Sequence, residues 1–517
     1  MIYQSIPFAV IAAILAVAVL RRREISALSV FALGGIALNF FCAIFLHLRP
    51  RSGRPFSDLS AMVFLGVAYG LLCLPLLFVK KSGEDVKNDR SETCELSATA
   101  FLFLSFVLIS LTVPVSLCNL VPGGKWLWQF STTDVTREAL RQAQGATGKS
   151  ALQELGFVLE SFSFCALFLS AVGIVWFSRF RIVNTLLMLG GLAPVFWSYS
   201  TVARNVAMHE AVFYVIAILQ VATMRPKEDF RRRQLFLNSP FLLFAFCVTF
   251  PFLLITALRF IPAAAPSAYK TKATVVSRGS NTEPSARKTK ATVVSRGSNT
   301  EPSARKTKAK AVSRGSRVAP PSRKTQGEVV YRGSNKEGLF YSSYSYFCTG
   351  AYSFNADYVA RYEKGLPCFR GALTAGPVVK VIDVLTGSHI TKDAETLFKR
   401  LHLAPRDEFP RSIYRDISGA YAGEFKTMIG NIVYDYPKWG AILFCALVSL
   451  GAFLVFTRMK CDCLAYRLFT TLYVDTLLFG LLLWPWRSVR QGLVLFWILA
   501  LVAFLCFLRK WSIPRAQ

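Results

Sequence analysis

Residues 98–120 read ATAFLFLSFVLISLTVPVSLCNL, a run without a single acid or base. A helix of ~20 apolar residues spans the hydrocarbon core of a bilayer. Lipid offers backbone groups no hydrogen-bond partners, so such a run must be helical there. Working outward, similar runs lie near 2–20, 26–48, 59–79, 155–178, 183–202, 207–223, 235–261, 439–457, 468–486 and 491–508. The expected fold class is an all-α polytopic membrane protein of about eleven transmembrane helices. The sixth and seventh runs are separated only by Ala203 to Asn205 and their neighbours, which predicts a tight hairpin. In the first run the cluster Arg21, Arg22, Arg23 follows the apolar letters, whereas a signal peptide carries its charge before them. An uncleaved helix with its N-terminus outside is expected. A mean hydropathy of +0.41 and 43 Phe agree with the membrane class.

A polar insertion splits the apolar sequence, which predicts four parts. Residues 1–262 form a membrane bundle of about eight helices, and residues 438–517 add about three more. Between them, 263–337 is a basic linker and 338–437 an extracytoplasmic α+β domain. The linker opens with a tandem repeat: Lys270 to Arg287 is KTKATVVSRGSNTEPSAR, and Lys288 to Arg305 repeats it letter for letter. A third copy, Lys306 to Arg323, has drifted, and a fourth is partial. Each unit offers only a short apolar patch such as Val275-Val276, too little to offset the entropy of ordering its backbone. Disorder is the expectation, although a fixed period also admits a stacked solenoid.

From about Gly338 aromatics crowd in, including Phe340, Tyr341, Tyr344, Tyr346 and Phe347. Residues 378–385 (VVKVIDVL) predict a strand, and 391–401 a helix with Thr391 as N-cap. Cys348 and Cys368 are either a disulfide closing a short loop or two buried thiols.

Charge sets the orientation. With the N-terminus outside, the short inner loops hold twenty Lys and Arg, among them Arg467, and the short outer loops hold ten. Positive loops stay inside. The expected localisation is therefore a bacterial inner (plasma) membrane, with the N-terminus and the 263–437 loop outside and the C-terminus cytoplasmic. Of the net charge of +30, residues 270–337 supply +13, from 17 bases against 4 acids. The expected partner is the lipid bilayer. Anionic envelope polymers or lipid headgroups would suit the basic repeat, with a bare solvated spacer as the plainer reading. No nucleic acid is expected.

Ionisable side chains inside apolar runs are costly and mark function. Asp475 sits near the middle of the tenth run, and Glu160 near the start of the fifth. Arg204, His209 and Glu210 cluster about the expected hairpin, and His47 closes the second run. The candidate catalytic residues are Arg204, His209, Glu160 and Asp475. Arg204 and His209 suit an oxyanion, while Glu160 or Asp475 suits a general base or a proton carrier. The plainer readings are a headgroup anchor for Arg204, a helix cap for His209 and Glu210, and a structural hydrogen bond for Asp475. Cys461-Asp462-Cys463 is too sparse for a metal site.

No phosphate-binding glycine loop, dinucleotide motif or HExxH appears, so neither a cofactor nor a metal is expected. The architecture is similar to that of bacterial O-antigen polymerases and ligases: eleven or twelve spans, one large outer loop, and outer Arg and His. That similarity is architectural alone. It implies a cell-envelope transferase or polymerase acting on a lipid-linked glycan at the outer leaflet. The alternatives are an ion- or proton-coupled transporter with Asp475 and Glu160 on its path, and a non-enzymatic scaffold with an outer binding domain.

Overall fold

The computed structural model describes residues 3, 5–21, 24–48, 58–80, 96–120, 156, 158–200, 205–224, 242–249, 350, 354–355, 358–363, 371, 374, 427–459, 463–481, 485 and 489–512. All of these belong to one compact unit, made of residues 1–256 and 334–517. The repeat, Arg204, Cys348, Cys368, the expected strand at 378–385 and the expected helix at 391–401 lie outside the described residues.

The described chain is a bundle of α-helices: α1 (Ser5–Leu20), α2 (Ala27–Leu48), α3 (Leu59–Cys73), α4 (Ala98–Leu120), α5 (Ser163–Trp176), α6 (Arg181–Gly191), α7 (Ala193–Ser200), α8 (Asn205–Ala222), α9 (Met428–Asp435), α10 (Lys438–Arg458), α11 (Leu464–Gly480) and α12 (Val489–Ser512). A further helical stretch covers 242–249. Five segments are long and apolar enough to cross a membrane: Ala27–Ile44, Leu59–Phe78, Ala98–Asn119, Val158–Trp176 and Lys438–Arg458. Shorter apolar helices run over Ser5–Leu20, Val206–Ala222 and Gly492–Leu508. Their outer faces carry exposed Phe31, Leu38, Phe103, Phe106, Leu443 and Leu447. Apolar faces of this kind suit lipid contact. The architecture is thus that of a helical membrane protein.

Local chemistry sets the helix starts. Asp58 caps α3, its carboxylate accepting from the Ser60 N–H at 3.1 Å. Thr427 caps α9 through the Gly430 N–H, and Cys463 caps α11 through the Tyr466 N–H. Each supplies an acceptor for one of the free N–H groups of a first turn. Packing then uses small residues. Gly66 and Gly70 on α3 face Pro7 and Val10 of α1, and a Cβ on Gly70 would lie 2.9 Å from the Val10 side chain. This four-residue spacing lets two helices approach closely without a water-driven force. Tyr69 of α3 donates to the Gly480 carbonyl of α11 at 2.9 Å, and Tyr473 of α11 donates back to the Leu72 carbonyl at 2.5 Å.

The described parts of 338–437 include helical turns that pack on α3. Phe64 packs against Phe354, Tyr358 and Tyr362, and the Asn355 side chain accepts from the Asp58 N–H at 3.0 Å. Asp435, in α9, accepts from the Thr374 N–H. No strand occurs among the described residues; one isolated bridge joins Ile25 and Lys80.

One expected span differs in form. The run at 183–202 is two helices, with α6 ending at Gly191 and α7 starting at Ala193. Pro194 explains the break: it has no N–H for the Gly190 carbonyl, and its ring crowds that carbonyl. Side chains of α4 donate to carbonyls on both sides of the break. Ser116 donates to the Leu189 carbonyl at 2.7 Å and to the Gly190 carbonyl at 3.3 Å, and Asn119 donates to the Ala193 carbonyl at 2.9 Å. Gly190 permits this approach, and Gly191 permits a close approach to α5. A Cβ on Gly190 would lie 2.0 Å from the Thr112 hydroxyl, and one on Gly191 would lie 2.4 Å from Leu167.

Candidate functional site

α8 packs against α5, α7 and α11, which places its second turn deep in the bundle. His209 and Asp475, remote in sequence, meet there. His209 Nε2 lies 2.7 Å from Asp475 Oδ2, with the side chains 4% and 0% exposed. Aromatic rings hold the imidazole in place. Phe479, one turn beyond Asp475 on α11, stacks on it at 4.2 Å and 10°. Phe164 of α5 meets it edge-on at 5.1 Å, and Phe164 in turn contacts Phe213, one turn beyond His209.

The physics of such a pair is specific. An isolated charge in this environment costs several kcal/mol, so the pair favours states with no net charge. Either the carboxylate faces an imidazolium, or a carboxylic acid faces a neutral ring. Adding or removing a proton leaves net charge in the bundle.

Further buried polar groups lie on the same helices and on the segment before α5. Glu210 follows His209 on α8, is 0% exposed, and turns toward α7. The backbone N–H of Val195, in the first turn of α7, lies close to its carboxyl, but neither oxygen closes a well-aligned hydrogen bond with any described residue. Glu160 is buried, one turn before Phe164. Among the described residues Arg467 is the largest fully buried side chain; its Nη1 donates to Gln220 Oε1 at 3.0 Å. Arg467, Thr471 and Asp475 recur every fourth residue on α11, which puts them on one face. Ser170 and Tyr214 join α5 to α8 at 2.9 Å, and the Ser170 hydroxyl also reaches the Asn184 carbonyl at 3.2 Å.

Of the four expected site residues, two therefore meet directly, His209 and Asp475. Glu160 is buried on the segment that supplies Phe164. Arg204 is outside the described residues. His47 lies in α2, with its side chain outside the described set. The described residues bring no three His, Cys, Asp or Glu side chains into a metal-holding group. One site feature escapes sequence reasoning. Arg467 was counted among loop charges, yet α11 begins at Leu464 and buries it. Glu210, expected beside His209 with a helix cap as the plainer reading, lies in the second turn of α8 and faces a neighbouring helix. The letters Gly190, Gly191 and Pro194 were the available signal for the helix break.

No protein-family model, curated protein or solved structure matches the chain.

Proposed function

We propose that this protein is a proton-coupled membrane transporter in which His209 and Asp475 form the proton-binding centre. The observation that carries the reading is the 2.7 Å contact between them in the bundle interior. Intramembrane ionisable pairs characteristically lie on ion or proton pathways. The interrupted α6–α7 segment supports the same reading, because broken helices at membrane depth line transport sites. A transferase acting on a lipid-linked glycan needs its general base open to substrate. Here Phe479 and Phe164 cover the imidazole, which favours proton exchange within the bundle over attack on a bulky substrate.

The reading includes a topology: eleven spans, the α6–α7 pair counted as one, with the N-terminus and the 263–437 insertion outside and the C-terminus inside. The basic repeat acts as a spacer near anionic headgroups or polymers, and the segment after it caps the bundle. Reporters fused near Ser280 and Lys438 should register outside; an inside signal at both overturns the topology.

The functional test uses the full chain in proteoliposomes loaded with a pH-sensitive dye. An imposed pH gradient should drive proton movement in the wild type and in the surface control Trp439→Ala. Asp475→Asn and His209→Gln should lose it while inserting normally. Equal proton movement in Asp475→Asn and wild type would refute the reading.

A further inference from the structure

α8 carries two titratable residues in succession, and they serve different neighbours. His209 faces α11 and α5, whereas Glu210 faces α7. The start of α7 is not an ordinary helix start. It lies at an internal break, where Pro194 prevents the chain from continuing α6 and Ser116 and Asn119 satisfy the carbonyls on the α4 side. The N–H groups of α7's first turn form the positive end of that short helix. Over that end sits a fully buried carboxyl whose two oxygens close no hydrogen bond with any described residue. A buried carboxyl with open acceptor sites beside a helix N-terminus has two stable conditions. As a carboxylate it is held by the N–H groups; as an acid it carries no charge and is held far less.

We propose that Glu210, seated over the N-terminus of α7, is a second proton-binding site, and that its protonation frees α7 to move about the hinge between Gly190 and Ala193. The inference deepens the proton-coupled reading and rests on it only for the direction in which α7 motion serves transport. The ligand is a proton: the Glu210 carboxylate accepts it from hydronium, leaving water, and no other bond breaks. The surroundings suit this assignment. Among the described residues, the titratable or charged groups on the elements packed against α8 include His209 and Tyr214 on α8 itself, Tyr466, Arg467, Tyr473 and Asp475 on α11, Cys165 on α5 and Glu160 just before it. His209 and Asp475 are engaged with each other. α4, which closes the other side of the break, carries no acid or base. Protonation of Glu210 is therefore read directly by α7.

Hydrogen exchange of the 193–200 segment, measured on the full chain in nanodiscs and normalised to the intrinsic chemical rate at each pH, tests this. In the wild type, protection should fall about tenfold as pH drops from about 8 to about 5, in line with losing a carboxylate held at a helix N-terminus. Glu210→Gln should be flat at the low-protection level. Glu210→Asp should restore a pH response. Ser116→Ala should lower protection at every pH and keep the slope, which separates loosening of the break from loss of the switch. A flat wild type overturns the proposal. So does a pH slope that survives in Glu210→Gln, or protection that follows sodium at fixed pH. If α7 responds as described but the proteoliposomes move no protons, the Glu210 site stands and the transport reading falls. Proton movement with a pH-insensitive α7 gives the reverse.

Discussion

Near its N-terminus α8 meets α11 through His209 and Asp475, 2.7 Å apart. About three turns further on, the same two helices meet again through Gln220 and Arg467, 3.0 Å apart. Both contacts are buried and each joins a side chain on α8 to one on α11. Their chemistry differs in one decisive respect. A guanidinium stays charged at any pH a protein survives, and an amide never titrates. The Gln220–Arg467 contact is therefore fixed, a permanent clasp between the helices. An imidazole facing a carboxyl can gain or lose a proton, and each change alters the charge that the bundle must hold. In the proposed reading, one end of the seam stays the same and the other changes.

The sharpest way to break this comparison is to remove one partner from the switching end. Asp475→Ala leaves the imidazole without its carboxyl, and breaking a buried pair in this way costs about 3–5 kcal/mol. Thermal unfolding in detergent should show it. The double variant His209→Ala/Asp475→Ala should lose less than the sum of the two single changes, because both remove one shared interaction. Additive losses would mean that the two groups are not energetically coupled.

The next largest effect belongs to the fixed end. Gln220→Leu removes the acceptor from a buried guanidinium, a loss of about 1.5–3 kcal/mol for a hydrogen bond to a charged group. The cost should not vary with pH, whereas that of Asp475→Asn should. If both costs were equally pH-independent, the contrast between the two ends would disappear.

A smaller change addresses the break that Glu210 faces. Ser116→Ala removes the hydroxyl that serves the Leu189 and Gly190 carbonyls. It should cost about 1 kcal/mol, measured by unfolding, and leave the His209–Asp475 contact intact.

The smallest effect lies on the surface, where Asp58 and Glu363 share a carboxyl–carboxyl hydrogen bond. Burial pushes the Asp58 carboxyl up, but hydrogen bonds from Ser60 and Glu363 outweigh it and hold it below its ordinary value. Glu363 is raised, first by its hydrogen bond to Asp58, then by burial and by the neighbouring negative charge, with Lys438 opposing. The signs follow from linkage. The Asp58 contribution is present above its unfolded value of ~3.9 and is lost as pH falls through its lowered value. The Glu363 contribution is complete below its unfolded value of ~4.3 and is lost as pH rises through its raised value. The contact is therefore strongest in mildly acidic solution and weakens toward neutrality. Both groups are largely solvent-accessible, so the effect stays below about 1 kcal/mol. Glu363→Gln should flatten that rise in stability on acidification, seen as a smaller change in melting temperature between neutral and mildly acidic buffer.

Much of the bundle was legible from apolar runs alone, because lipid-compatible helices need length and lack of charge and little else. The runs at 26–48, 59–79, 98–120 and 439–457 coincide closely with α2, with α3 and its following turn, with α4 and with α10. His209 and Asp475 stood out as ionisable letters in such runs. Their pairing did not, since nothing local links residues so far apart in the chain. Arg467 was misread because a charge at a span's edge usually belongs to the loop, and only packing against α8 reveals that the helix begins earlier. The break at Leu192 was hidden because hydropathy stays high across Gly190, Gly191 and Pro194, while backbone geometry does not. Glu210 needed both facts at once: the side of α8 it occupies and the helix start it faces.

The central claim is that the His209–Asp475 pair exchanges a proton while the Gln220–Arg467 pair does not. Infrared difference spectra of the reconstituted full chain, recorded between neutral and acidic buffer, observe this directly through the carbonyl stretch of a protonated carboxylic acid. The account predicts a protonated-carboxyl component that persists in Gln220→Leu and is lost in Asp475→Asn, beside a separate component that only Glu210→Gln removes. An unchanged band in Asp475→Asn would contradict it.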